Sequence, residues 1–185
     1  MNQTINIIKN RRSVRSYLAE QIKDEELKQI LDSAIYAPTG RNHQPWNFTV
    51  IQNQELIKQM GAKTKEVMSK SKEEWISERG KDPGFNTFYN APTIIIVSGR
   101  KNAYSPLTDC SAAIQNILLT AESLNIGSCW VGLVSHFFSV EEEVAKLKIP
   151  EGYEPYYAVC LGYKNPDAKV IIKERNKEVV NYIKW

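Results

Sequence analysis

Apolar positions recur along the chain at two different spacings. Leu27, Ile30, Leu31, Ala34 and Ile35 fall at the i, i+3, i+4, i+7, i+8 intervals of a single helix face, predicting a helix over 24–36 that Pro38 and Gly40 end. Ile5 and Ile8 share one side of a shorter helix over 4–9, and residues 55–71 form a lysine-rich helical stretch. Phe48 and Val50 alternate with polar residues in 47–52, which predicts a strand. The run TIIIVS at 93–98 is continuously apolar and β-branched in its centre, as in a strand buried on both faces.

The strongest pattern lies in 108–125. Ala113, Ile114, Ile117, Leu118, Ala121 and Leu124 make one wide apolar face, and Ala112 and Leu119 broaden it. A helix apolar nearly all round should run through the middle of the fold or along a contact between subunits, and Gly127 suits its C-terminal stop. Ser139 and Glu142 have the spacing of a capping box for a helix over 139–147. Residues 156–163 and KVIIK at 169–173 read as extended, and 72–90, with Trp75, Gly80, Pro83 and Gly84, as a short helix followed by a loop. The last residues, EVVNYIKW, carry Val180, Ile183 and Trp185, which should dock on something such as another subunit. With no repeat, low-complexity segment or linker, the pattern predicts one α+β sandwich domain over 1–185, helices packed on a small sheet.

Composition narrows the function classes. The 185 residues carry 24 basic and 21 acidic side chains, a net charge of +3, which is too balanced for a nucleic-acid binder. No apolar run approaches the roughly 20 residues of a membrane-spanning helix, and the first residues lack the apolar core of a signal peptide. Three widely spaced cysteines, Cys110, Cys129 and Cys160, and two histidines argue against a disulfide framework or a metal site and fit a reducing cytoplasm.

Four polar clusters remain. In RRSVRSY, 11–17, Arg11, Ser13 and Arg15 would point to one side of an extended backbone, giving guanidinium forks and a hydroxyl suited to phosphate. The alternative is a solvated basic surface at a helix end. APTGRNHQPW, 37–46, connects a helix to a strand: Asn42 and Gln44 offer donors and acceptors there, or the loop serves only to tuck Trp46 into the core. His43 lacks an evident Ser, Cys or carboxylate partner for acid–base work. GSCWVGL, 127–133, carries two glycines that let backbone approach a ligand or that mark a bulge in a buried strand, and it lacks GxGxxG spacing. KERNK, 173–177, is a second basic cluster. The acids Glu141 to Glu143 and Asp109 sit at helix starts, where they favour the dipole.

RRSVRSY, APTGRNHQPWNFTVI, DCSAAIQNILLTAESLNIGSCWVGLV, LGY and KER, in this order, resemble the nitroreductase family of flavin-dependent oxidoreductases over nearly the whole chain. The resemblance implies an α/β sandwich whose central, mostly antiparallel sheet is flanked by helices, in an intertwined homodimer with FMN at the subunit interface. Carried over by motif, Arg11, Arg12, Ser13 and Arg15 belong to the flavin site, with Arg11 and Ser13 on phosphate or ribityl oxygens and Arg15 near the pyrimidine side of the ring. Pro38, Thr39 and Asn42 come from the other subunit, with Gln44 supporting that loop. Trp130, Val131, Gly132 and Leu133 line the ring, and Lys173 and Arg175 match a late phosphate-binding pair. No catalytic side chain is implied, because the flavin carries the chemistry: NAD(P)H donates hydride, and nitroaromatics or quinones accept electrons in a ping-pong cycle. Some relatives dehalogenate instead, and flavin binding without turnover is a further alternative. Thr39 stands where serine is common in the family. Residues 60–90, which match no subgroup, are expected to cover the cleft and set substrate choice.

Overall fold

The computed structural model describes residues 2–168 and 174–184. The chain runs α1 (Gln3–Asn10), α2 (Asp24–Ala34), β1 (Trp46–Ile51), α3 (Gln54–Ser69), α4 (Glu74–Lys81), β2 (Thr93–Arg100), α5 (Pro106–Ser123), β3 (Ile126–Val131), α6 (Ser135–Phe138), α7 (Glu141–Ala145) and β4 (Tyr153–Tyr163). The expected extended piece at 169–173 and the docking of Trp185 lie outside the described residues.

The four strands pair antiparallel throughout, in the order β1-β2-β4-β3. β2 is buried from Thr93 to Gly99, as its apolar run requires. Ile95 and Val97 join α2 and α5 in one core, with Ile30, Ala34, Ala113, Ile114 and Ile117. Ile94 and Ile96 turn to the other face and meet Ile57, Met60, Phe88 and Phe137. α5 is the central helix expected from its pattern: Cys110, Ala113, Ile114, Ile117, Leu118 and Ala121 are all buried. A smaller cluster of Met68, Ile76 and Phe85 joins α3 to α4. Gly80 permits that contact, since a Cβ there would collide with the backbone of Ser69.

Several local expectations are corrected. Gly127 does not end α5. The left-handed residue is Asn125, at φ 58°, and Gly127 sits inside β3 opposite Gly162. Asparagine tolerates that conformation because its short amide can bond locally. β3 carries an unbroken register with β4, so no bulge marks GSCWVGL. Ser139 does not start a helix: its hydroxyl donates to the His136 carbonyl at 2.8 Å at the C-terminal end of α6, while Val140 precedes α7. Four-residue α6 is too short to show a period. Ile35 follows the end of α2 and is exposed. Ile5, Ile8, Val179, Val180, Tyr182 and Ile183 are exposed as well, so within one chain these apolar side chains lie uncovered. Among the described residues no helix is long and apolar enough to cross a membrane, and no group of three or more His, Cys, Asp or Glu side chains could hold a metal.

Candidate functional site

The segment after α1 is extended and lies along β3. Ser13 bridges Ser128 in parallel, the Val14 N–H donates to the Ser128 carbonyl at 2.9 Å, and the Leu18 N–H donates to Tyr163 at 3.0 Å. Two glycines make room for it. A Cβ on Gly127 would lie 2.9 Å from Val14 Cγ1, and one on Gly162 would lie 3.0 Å from Tyr17 Cδ1. The Tyr17 hydroxyl donates to the Val14 carbonyl at 2.6 Å, and its burial pushes its pKa well above the usual value.

This geometry sends alternate side chains one way. Burial raises the Cys129 thiol, opposed by the positive charges of Arg15 and Arg11 and by the neighbouring Ser13. Along the extended backbone bridged at Ser13, alternate residues share a side, so Arg11, Ser13 and Arg15 fall together on one side of the segment. Ser13 and Arg15 are exposed. Among the described residues neither Arg11 nor Arg15 is paired with a carboxylate. Burial acts to lower the Arg15 pKa, but the neighbouring Tyr89 and other ionisable groups raise it on balance, and the guanidinium lies 5.7 Å from the Tyr89 ring centroid. Arg12 points elsewhere: its Nη1 donates to the carbonyls of Lys9 at 2.6 Å and Arg11 at 2.8 Å, serving the C-terminus of α1.

Pro38, Thr39, Asn42 and Gln44 belong to a loop held in an unusual backbone. Arg41, Asn42 and Gln44 have φ of 56°, 55° and 43°. Arginine and glutamine at positive φ are strained, a state that persists only when the surroundings impose it and that clusters at functional sites. Here the ties are visible. Asp109 Oδ1 accepts from the Gly40 N–H at 3.2 Å and from the Ser105 hydroxyl at 2.9 Å. Arg100 donates to the His43 carbonyl at 2.8 Å, and His43 Nδ1 accepts from the Tyr104 N–H at 3.0 Å. Gln44 Nε2 donates to Asn42 Oδ1 at 2.9 Å, and the Gln44 N–H donates to the Thr39 hydroxyl at 3.3 Å. His43 is thus a fastening of the loop. Trp46 is half-buried against the α2–α5 core, so the loop also delivers a core residue.

Trp130 and Val131 close β3, with Trp130 edge-on to Tyr157 at 5.0 Å. A Cβ on Gly132 would meet nothing within 4 Å. Gly132 lines a cavity of about 500 Å³ together with Leu107, Ser135 and Tyr157, while Leu133 packs against the Met68–Phe85 cluster. Arg175 lies in exposed irregular chain, and Lys173 lies outside the described residues. Within one chain no side-chain hydrogen bond among the described residues joins 11–17 to 37–46. The first segment borders β3 and the second leads into β1, the opposite edge of the sheet.

Sequence reasoning missed two contributors. Asp109 reads as an ordinary first-turn acid, yet it is buried and holds the loop. Tyr89 carries no motif, and its place beside Arg15 depends on the left-handed pair Tyr89 and Asn90, at φ 56° and 57°, which turns the chain into β2.

The model of the Nitroreductase family matches residues 8–163. The chain belongs to the nitroreductase family. A nitroreductase of Bacteroides fragilis, solved with bound FMN, superposes with a TM-score of 0.92 at 33% identity over 100% of both chains. A protein of Archaeoglobus fulgidus, provisionally named as an NADH dehydrogenase/NAD(P)H nitroreductase, is 33% identical over 88% of this chain and 86% of its own length. An iodotyrosine deiodinase of Hydra vulgaris is 30% identical over 77% of this chain and 62% of its own. Against this nitroreductase fold, the antiparallel sheet flanked by helices agrees with the α+β sandwich expected from the sequence.

Proposed function

We propose that this chain is an FMN-dependent oxidoreductase that takes hydride from NAD(P)H and passes electrons to a nitroaromatic, quinone or related acceptor. The observation that supports it most is the segment carrying Arg11, Ser13 and Arg15 at alternate positions, bridged to β3 at Ser13 and bonded to it at Val14, in a family whose solved relative binds FMN. The residues fit that group. Two guanidinium ions without carboxylate partners and an exposed hydroxyl suit a phosphate of nearly two negative charges and its ribityl chain. The open space at the Cβ position of Gly132 lets backbone approach a flat ring.

FMN, when bound, supplies the hydride-accepting and electron-donating centre. Arg11 and Ser13 hold the phosphate or ribityl oxygens, with Lys173 and Arg175 adding charge to the phosphate. Arg15, fixed by Tyr89, supplies a cation on the pyrimidine side, where negative charge grows on reduction, and acts without reorganising. Trp130, Val131, Gly132 and Leu133 line the ring. Pro38, Thr39 and Asn42, with Gln44 bracing the loop, reach the flavin of a partner subunit in a homodimer. The placement of the two segments at opposite sheet edges supports that arrangement. Arg12 is in the segment but serves α1.

Donor and acceptor would use one cleft in turn. Double-reciprocal plots of NADH against a nitroaromatic should therefore be parallel, and intersecting lines would contradict alternation. Absence of NADH or NADPH consumption with every acceptor would sink the reading. A second reading, reductive dehalogenation, uses the same flavin site and is favoured by the deiodinase relative. Release of halide from a halogenated phenol faster than reduction of nitroaromatics would select it.

A further inference from the structure

We propose that Arg100 is a positioning residue for the 37–46 loop: its side chain and its backbone hold the two carbonyls that flank Gln44, and so fix the face that Thr39 and Asn42 offer to a flavin. The flavin as the target of the loop rests on the oxidoreductase reading above, whereas the clamp rests on the loop itself.

Gln44 holds left-handed backbone, at φ 43°, which a residue with a Cβ disfavours. Arg100 brackets it. Its Nη2 donates to the carbonyl of His43, one residue before, at 2.8 Å, and its N–H donates to the carbonyl of Pro45, one residue after, at 2.9 Å. Two carbonyls fixed to one residue leave Gln44 little freedom to return to an ordinary φ. The constraint then passes on, because the Gln44 N–H donates to the Thr39 hydroxyl at 3.3 Å and its side-chain amide donates to Asn42 Oδ1 at 2.9 Å. Both of those residues belong to the flavin-facing set proposed above.

Stability alone is a weak reason for a guanidinium here. Arg100 is half-buried, its Nε is buried without a hydrogen-bond partner, and among the described residues no carboxylate pairs with it. Taking a charge out of water without an opposite charge is unfavourable. What the charge supplies is a charge-assisted bond to a strained loop, roughly twice as strong as a neutral one. The mounting is rigid, since Arg100 ends β2, an interior strand whose Gly99 pairs with Trp46. The turn that follows receives the loop as well. The Tyr104 N–H donates to His43 Nδ1 at 3.0 Å, and the Arg41 guanidinium lies 5.1 Å from the Tyr104 ring centroid. A Cβ on Gly40 would lie 2.7 Å from Ser105 Oγ and 2.9 Å from Tyr104 Cδ1, so a glycine there permits the close docking.

The test is amide hydrogen exchange on the purified protein, followed by FMN titration, for wild type, Arg100→Met and Arg100→Lys. Both variants keep the backbone bond to Pro45. Methionine keeps an apolar stem and removes the charge, whereas lysine keeps a cationic donor without the planar fork. In Arg100→Met the amides of Gln44 and Tyr104 should exchange about tenfold faster, the scale of one charge-assisted hydrogen bond, while those of Ile94 to Val97 in β2 hold. FMN affinity should fall by a similar factor, and Arg100→Lys should recover part of both losses. Unchanged exchange at Gln44 in Arg100→Met would overturn the proposal. So would equal acceleration in the loop and in β2, which reports a general loss of stability. Faster exchange at Gln44 with full FMN affinity would overturn the link from clamp to flavin. Wild type that takes up no FMN, while Gln44 responds as expected, would sink the flavin reading and leave the clamp standing.

Discussion

The Cβ that Gly127 lacks would lie 2.9 Å from Cγ1 of Val14. This close approach lets the arginine-bearing segment lie along β3, so a glycine inside a buried strand determines where three polar side chains point. Gly127→Ala should displace Val14, destabilise the fold by about 1–3 kcal/mol and weaken FMN binding. Adding Val14→Ala should restore much of both losses. Thermal unfolding and flavin titration of the single and double variants measure this, and a double variant no better than the single would show that the contact does not set the segment.

Asp109 fastens the 37–46 loop to the start of α5 through the Gly40 N–H and the Ser105 hydroxyl. Asp109→Ala leaves both donors without this acceptor and should cost about 1–3 kcal/mol, while Asp109→Asn, which retains Oδ1, should cost less. The strained loop should then open to protease first. A loop as resistant as wild type in Asp109→Ala would count against that role.

How far the sequence carried depended on whether a feature is local. The apolar run of β2 and the faces of α5 were legible because burial on both sides leaves no polar position to conceal the period. Gly127 was not, because its neighbour Val14 is more than a hundred residues away, and a glycine shortly after a helix reads equally well as a stop. Ser139 misled because a hydroxyl can donate backward to a carbonyl as readily as it caps forward. Asp109 and Tyr89 were hidden because their partners come from distant segments, and only the tertiary fold brings them to the loop and to Arg15.

The Tyr163 hydroxyl donates to Glu26 at 2.7 Å, tying β4 to α2. That bond, aided by the backbone at Lys23 against a smaller burial effect, lowers the Glu26 pKa. A depressed carboxyl contributes stability that is present above its ordinary pKa and is lost as pH falls through the folded value. Tyr163→Phe should raise the Glu26 pKa, and its stability deficit should vanish in acid. An NMR titration of the Glu26 carboxyl carbon checks this, and an unmoved pKa would contradict it.

Burial pushes the Cys110 thiol up to about 12, with the Asp109 charge adding to the effect, and burial also raises Cys129 and Cys160. Thiolate is the reactive form, so a disulfide reagent at mildly alkaline pH should leave the native protein untouched and modify every cysteine in guanidinium. Rapid labelling of the native chain would mean that β3 and β4 open more readily than their packing implies.

The most direct test is to titrate purified wild type, Arg11→Ala and, as a control at an exposed lysine just past β2, Lys101→Ala with FMN, then add NADH or NADPH without oxygen. Wild type and Lys101→Ala should take up FMN with equal affinity, Arg11→Ala more weakly, and the bound flavin should bleach. Failure of wild type to bind FMN, or bound flavin that neither nicotinamide reduces, would contradict the account.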